Sequence, residues 1–308
     1  MANYYVNNST GSDANAGTSS GSPKATYSAG VALLSAGDNL YIEATATPYA
    51  MANITNIPSG VNFIGSAKPD PVTGVAVKID GSGGHYWHYF LGSFTMTNIW
   101  YHDIIDSSGG GLFYTNRSAT GHLTQNYTDC IFSEMKGVSS SAGRGGILAG
   151  GAGVGAYTAD SITYNLTGCL FKNIESYGNT SAGALFIHSS GTFIVNITQC
   201  TWYQGTPTNY ALDAIAADYS GIYTTITLTN CAVVNDSGQT LVIHGNYSGA
   251  SIGANTSFTL TGSTYTNIST TNGTITNSTN ADADFLDPSG LDFRLPKDSP
   301  AVDRGVVI

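Results

Sequence analysis

Apolar and polar residues alternate in short runs along nearly the whole chain, separated by Gly, Ser, Asn and Thr, a pattern that predicts half-buried strands rather than helices. The runs also repeat. The segments FTMTNIWYHD, QNYTDCIFSE, YNLTGCLFKN, VNITQCTWYQ, ITLTNCAVVN and FTLTGSTYTN align without gaps. Their central residues are Ile99, Cys130, Cys169, Cys200, Cys231 and Ser263, in steps of 31, 39, 31, 31 and 32 residues. A fixed period of this size marks a stacked structural unit that cannot bury its apolar face alone.

Two columns of the repeat are apolar throughout. Three positions before the centre stand Met96, Tyr127, Leu166, Ile197, Leu228 and Leu260, and two positions after it Tyr101, Phe132, Phe171, Trp202, Val233 and Tyr265. The odd step from the first column to the centre breaks the period of two, so each unit needs a bend between two short strands. A polar column follows at Asp103, Glu134, Asn173, Gln204, Asn235 and Asn267, which predicts a turn with stacked side chains. A third strand is expected at GLFYT, GILAG, ALFIH, AIAAD, TLVIH and GTITN.

The fold class is therefore all-β, a right-handed parallel β-helix whose coils of about 31 residues have three faces. The extra residues of the 39-residue step are expected in a Gly-rich loop at 145–161. Residues 1–92 form an N-terminal cap and first coils, 93–280 the regular coils and 281–308 a C-terminal cap, in one continuous domain. The cap includes a helix from Thr26 to Gly37, with Tyr27, Val31 and Leu34 on one face and Gly37 as its stop. NLYIEA, VNFIGS and VAVKID then read as strands.

Charge narrows the partners. Only 10% of residues are charged, and twenty Asp and Glu against ten Lys and Arg give a net charge of −10. That repels nucleic acid and anionic membranes. No apolar run has the length of a membrane span, and MANYYVNNST lacks the basic start and apolar core of a signal peptide. The chain is expected to begin directly with structure, either after removal of a leader or as a virion protein that never carried one. The four cysteines lie in one column, which predicts buried, reduced thiols. Ligands in a line do not converge on an ion, so no metal and no cofactor are expected.

Both ends carry a family likeness. The run YYVNNSTGSDANAGTSSGSPKATYSAGVALLSAGDNLYIEATATPY and the closing run ADFLDPSGLDFRLPKDSPAVDRG, with its S-P-A-x-D-x-G segment, resemble pectin-lyase-like right-handed parallel β-helix proteins of bacteria and phages. The resemblance implies the fold, and through tailspikes a homotrimer. It leaves activity open, since lyases, hydrolases, tailspikes, adhesins and inactive scaffolds share that architecture.

Motifs of known polysaccharide-cleaving β-helices are missing: N-T-D, G-H-G, W-I-D-H and R-x-P-x-x-R do not occur. Lys136, Lys172 and Arg144 form the best basic patch. A sharper catalytic candidate is a third-strand column of His188, Asp218 and His244, flanked by Thr115 and Asn277, with Asp213 as a second carboxylate. The alternative reading is a strand end lined with polar side chains.

The aromatic run HYWHYF at 85–90 offers a glycan platform. Alternation turns Tyr86, His88 and Phe90 to one side and His85, Trp87 and Tyr89 to the other; with one set facing out, Tyr86, Trp87, His88, Tyr89, Trp100 and Tyr101 are the glycan-binding candidates, and the alternative is packing, with one set in the core and the other under a loop. Glycosylation sequons recur, and those at Asn126, Asn165 and Asn196 share one column of the repeat, so the template accounts for them.

Two functions are expected from these residues. The first is a non-catalytic extracellular or virion-surface protein of the phage tail or capsid fibre type, meeting cell-surface polysaccharide or other surface proteins. The alternative is a polysaccharide-degrading enzyme, a tailspike-type glycosidase or a lyase.

Overall fold

The computed structural model describes residues 1–70, 72–86, 88–106, 113–115, 121–137, 148–150, 159–176, 185–187, 192–205, 212–217, 223–235, 241–246, 256–261, 264–265, 268–270, 273–276 and 279–280. These are nearly all β, with one short helix, and their strands form three parallel sheets. The first sheet has ten strands, from Asn3–Val6 and Asn39–Ile42 through Val61–Gly65, Phe94–Thr97 and Gly121–Thr128 to Gly273–Thr276. The second has nine, from Tyr49–Ala50 to Thr279–Asn280, and the third eight, from Ile54–Ile57 to Ile268–Thr270. From Asn39 onward the chain visits first, second and third sheet in cyclic order, and each strand pairs with the one from the next visit.

The ungapped sequence alignment is the hydrogen-bonding register of the first two sheets. Tyr127 pairs with Met96 and Leu166, and Ile197 with Leu166 and Leu228. In the second sheet, Phe132 pairs with Tyr101 and Phe171, and Trp202 with Phe171 and Val233. From Met96 to Leu228 and from Tyr101 to Val233 both columns face inward and are buried. Their rings stack along the molecule, Phe132 on Phe171 at 5.1 Å and Phe171 on Trp202 at 4.3 Å.

The required bend falls on the residue just before the central column. Asn98, Asp129, Gly168, Gln199 and Asn230 all have positive φ, between 52° and 64°. Asn, Asp and Gly reach this left-handed region most readily, which accounts for most of that column. The four cysteines are free and buried. Each thiol lies against carbonyls of its own and a neighbouring strand, as with Cys200 Sγ at 3.4 Å from Thr198 O and 3.6 Å from Leu166 O.

The polar column four residues beyond the centre differs from its expected role. Asp103, Glu134 and Asn173 lie inside second-sheet strands, at positive φ, and make a second bend rather than a terminal turn. Stacking does occur there, with Asn173 Nδ2 donating to Glu134 Oε1 at 2.9 Å.

The helix is shorter than the apolar spacing predicts, Tyr27–Val31, capped by the Thr26 hydroxyl, which accepts from Ala29 N at 3.2 Å. Gly37 does not end it. Its N–H instead bonds Ser59 O at 3.0 Å, where φ is +81°. The helix still covers the end of the core, with Tyr27, Val31 and Leu34 buried against Leu40, Ile57 and Phe63. The edge of the first strand is closed by the preceding segment, through Tyr5 N to Gly17 O at 2.8 Å, Lys24 N to Tyr5 O at 2.9 Å and Asn7 N to Lys24 O at 2.9 Å.

Three further expectations are corrected. GTITN is not a third-sheet strand: Gly273–Thr276 pairs with Thr256–Thr261 in the first sheet, because the last repeat is short and Ile268–Thr270 already fills the third. The proposed loop at 145–161 contains the third-sheet strand Leu148–Gly150 and the start of Ala159–Thr167. Third-strand alignment is also one residue off, since Leu148 pairs with Leu185 and Gly150 with Ile187. The segment 281–308 lies outside the described residues.

Candidate functional site

The aromatic candidates are mostly core. His88 and Tyr101 are fully buried, and Tyr86 packs partly buried against the same interior. The inward face is the Tyr86, His88, Phe90 face, so those side chains fill the end of the interior with Phe113 and Tyr27 rather than meeting a ligand. Trp100 is on the opposite face but only 7% exposed. Its indole N–H donates to Ser133 Oγ at 2.7 Å, and Lys78 Nζ lies 5.1 Å from its ring. Tyr89 is half-buried, and Trp87 lies outside the described residues. Packing outcompetes a platform here because large rings are the cheapest way to fill a wide interior.

The third-sheet column also dissolves as drawn. His188, Asp218 and Asn277 lie outside the described residues. Thr115 pairs with Phe90. Its column continues through Gly150 to Ile187, one residue short of His188. Ile215 pairs with Ile243, but Ala216 pairs with Gly245 and Ala217 with Asn246. His244 therefore sits in a ladder irregularity. Asp213 pairs with Val242, before that irregularity. In the basic patch, Lys172 is buried and lies 3.6 Å from Glu134 Oε1, while Lys136 is exposed and Arg144 lies outside the described residues. Among the described residues, no three His, Cys, Asp or Glu side chains converge on a point that would hold a metal, and no helix is long and apolar enough to cross a membrane.

What the fold does assemble is the outer face of the first sheet. Alternation turns one column of Asn and Thr outward along the first eight strands: Asn3, Asn39, Asn62, Thr95, Asn126, Asn165, Asn196 and Thr227 follow one another in register. Their amides link into ladders. Asn39 Nδ2 donates to Asn3 Oδ1 and Asn62 Nδ2 to Asn39 Oδ1, both at 2.8 Å. Asn165 Nδ2 donates to Asn126 Oδ1 and Asn196 Nδ2 to Asn165 Oδ1, both at 2.9 Å. The sequon column is thus a structural ladder whose amide nitrogens are engaged.

Two residues farther along each strand runs a parallel outward column: Tyr5, Tyr41, Ile64, Thr97, Thr128, Thr167, Thr198 and Thr229. Its first two members are aromatic and stacked, with centroids 5.3 Å apart at 17°. Beside them opens a cleft of about 160 Å³. Its polar lining includes Glu43, whose Oε1 accepts from Ser66 Oγ at 3.0 Å, while Ala44 N donates to the same hydroxyl at 2.8 Å. The sequence carries this site as a recurring Asn-x-Tyr in NYY and NLY that turns into Asn-x-Thr later, a signal masked by the mismatch between the N-terminal spacing and the 31-residue repeat. No family model matches the chain, and no curated protein matches it.

Proposed function

We propose that this chain is a non-catalytic right-handed parallel β-helix of an extracellular or virion surface, of the phage tail or capsid fibre type, which binds a cell-surface glycan or abuts other surface proteins. The cyclic order of strands through three parallel sheets supports the β-helix, and crossovers between parallel strands of one sheet are right-handed in nearly all proteins. The observation that carries the function is the outer face of the first sheet. It repeats neutral amides and hydroxyls from strand to strand, in the Asn ladders and the Thr column beside them. Glycans are recognised by such side chains together with aromatic surface, and a regular rigid face meets a repeating chain with little ordering cost. By resemblance to tailspikes, the assembly is a homotrimer.

The test is incubation of the whole chain with a panel of bacterial capsular and lipopolysaccharide glycans, read for retention by affinity electrophoresis and for released oligosaccharide. Retention without release is expected. Release of oligosaccharides with new reducing or unsaturated ends overturns the non-catalytic reading, and Asp218→Asn then tests the third-strand candidates. Light scattering on the same preparation is expected to give three times the 31.9 kDa chain mass. A monomer removes the trimer.

A further inference from the structure

We propose that the cleft beside Tyr5 and Tyr41 is a binding site for one neutral pyranose unit of that glycan, an inference that rests on the glycan-binding reading above and assigns it a place. Tyr5 and Tyr41 are the only aromatic members of an outward column that is otherwise Ile64 and Thr among the described side chains. They are not needed to fill the interior, because Val6, Leu40 and Ile42 on the same two strands are the buried residues there. Both residues are partly exposed. A partly exposed, stacked tyrosine pair offers a sugar both C–H/π surface and a phenolic hydroxyl.

Size and chemistry narrow the ligand. The cleft, about 160 Å³, is smaller than the roughly 300–1,000 Å³ of sites that enclose a drug-sized molecule. A single ring fits that scale, with the rest of the glycan lying across the sheet. Pro23 adds apolar surface, and Asn7 and Ser20 add polar groups. Glu43 is the charged group of the lining. The Ser66 hydroxyl fixes one of its oxygens and is itself fixed by the Ala44 amide. An ionised carboxylate has about four acceptor positions, so after the Ser66 bond it can still accept from two neighbouring sugar hydroxyls. The same charge repels uronates and sialic acids, in keeping with the net charge of −10. The ligand is therefore neutral.

The walls are also held in place before any ligand arrives. The segment carrying Ser20 and Pro23 is tied to the Tyr5 strand by the Tyr5–Gly17, Lys24–Tyr5 and Asn7–Lys24 backbone bonds. Little freedom is left to lose on binding. On the same strands and face, two residues back or about 6.6 Å, Asn39 keeps for the next sugar the second of its two amide N–H groups, the first donating to Asn3 Oδ1.

The experiment uses the whole chain on an array carrying glucose-, galactose-, mannose- and N-acetylglucosamine-terminated oligosaccharides beside polyuronates and sialylated glycans. Calorimetric titration of the strongest neutral binder follows, with the unaltered protein, Glu43→Gln and Tyr41→Ser. Retention of neutral glycans is expected, with affinity reduced at least tenfold in each variant and an unchanged melting temperature for Glu43→Gln. Should Tyr41→Ser fail to fold, Glu43→Gln alone decides. Neutral binding that neither folded variant weakens overturns this site and leaves the glycan-binding reading standing. Preference for the acidic glycans overturns the neutral assignment. An array that retains nothing overturns both.

Discussion

Both ring nitrogens of His88 are buried without a hydrogen-bond partner among the described residues, 5.2 Å ring to ring from Phe113 and 5.6 Å from Tyr27. Burial disfavours the imidazolium and pulls the pKa from 6.5 down to about 3. Because the folded state resists the proton that the unfolded state accepts, stability is intact above pH 6.5 and falls as the pH drops from there toward 3, by about 1.4 kcal/mol per unit across most of that window. The loss begins well above the range in which carboxylates matter, such as Asp38, held below its ordinary 3.8 by the Ala2 and Ser35 amides. Thermal melts followed by circular dichroism should decline between pH 6.5 and 4 in the unaltered protein. His88→Leu should keep its melting temperature across that window. An unaltered protein with a flat profile would show that the ring is solvated. The alternation in HYWHYF correctly gave the side on which His88 lies. Which side faces the core depends on the neighbouring strands, and so a glycan candidate became a core residue.

At the scale of the element, each repeat turns on a left-handed residue before the central column. Asn, Asp and Gly at four of the five described positions meet that demand, while Gln199 meets it less well, at φ 53°. A left-handed conformation costs a residue with a Cβ about 1–2 kcal/mol. Gln199 is exposed, and replacing it changes no core contact. Gln199→Gly should therefore stabilise by up to about 1 kcal/mol after the extra freedom Gly has when unfolded is subtracted. Denaturant midpoints would register this as a shift at constant slope, and a fall in the midpoint would count against the bend. The need for a bend was legible in the odd step between columns. The residue that makes it is marked only by residue type, in the line of Asn98, Asp129, Gly168 and Asn230. The third strands are less legible. Leu148–Gly150 and Leu185–Ile187 are three residues long and carry no polar side chain, so nothing in them fixes register by alternation, and the sequence does not show the offset between Leu148 and Leu185.

Across the molecule, an open stack of parallel strands presents an unpaired edge at each end. At the first strand the edge is closed by residues 17–24, and the interior beneath is covered by Tyr27, Val31 and Leu34. Removing residues 1–36 should expose the Asn39–Ile42 edge and the rings of Phe63 and His88. The truncated chain is then expected to associate, with elution volumes on size exclusion that shift with concentration. A truncated chain that elutes as one sharp, concentration-independent species would mean that the segment is dispensable.

The sequence by itself determined the repeat, the inward columns, the pairing of the first two sheets and the burial of the thiols. Each of these follows from local alternation copied at a constant interval, and the copy is visible without coordinates. The tertiary structure alone decided which aromatics face water. Inward and outward are equivalent to a strand read alone, and only the closing of three sheets around a shared interior makes them different. It also brought Tyr5, Tyr41, Glu43 and Ser66 to one cleft. Those residues come from three separate strands and their ends, spaced irregularly in the sequence, so no periodic pattern marks them as neighbours.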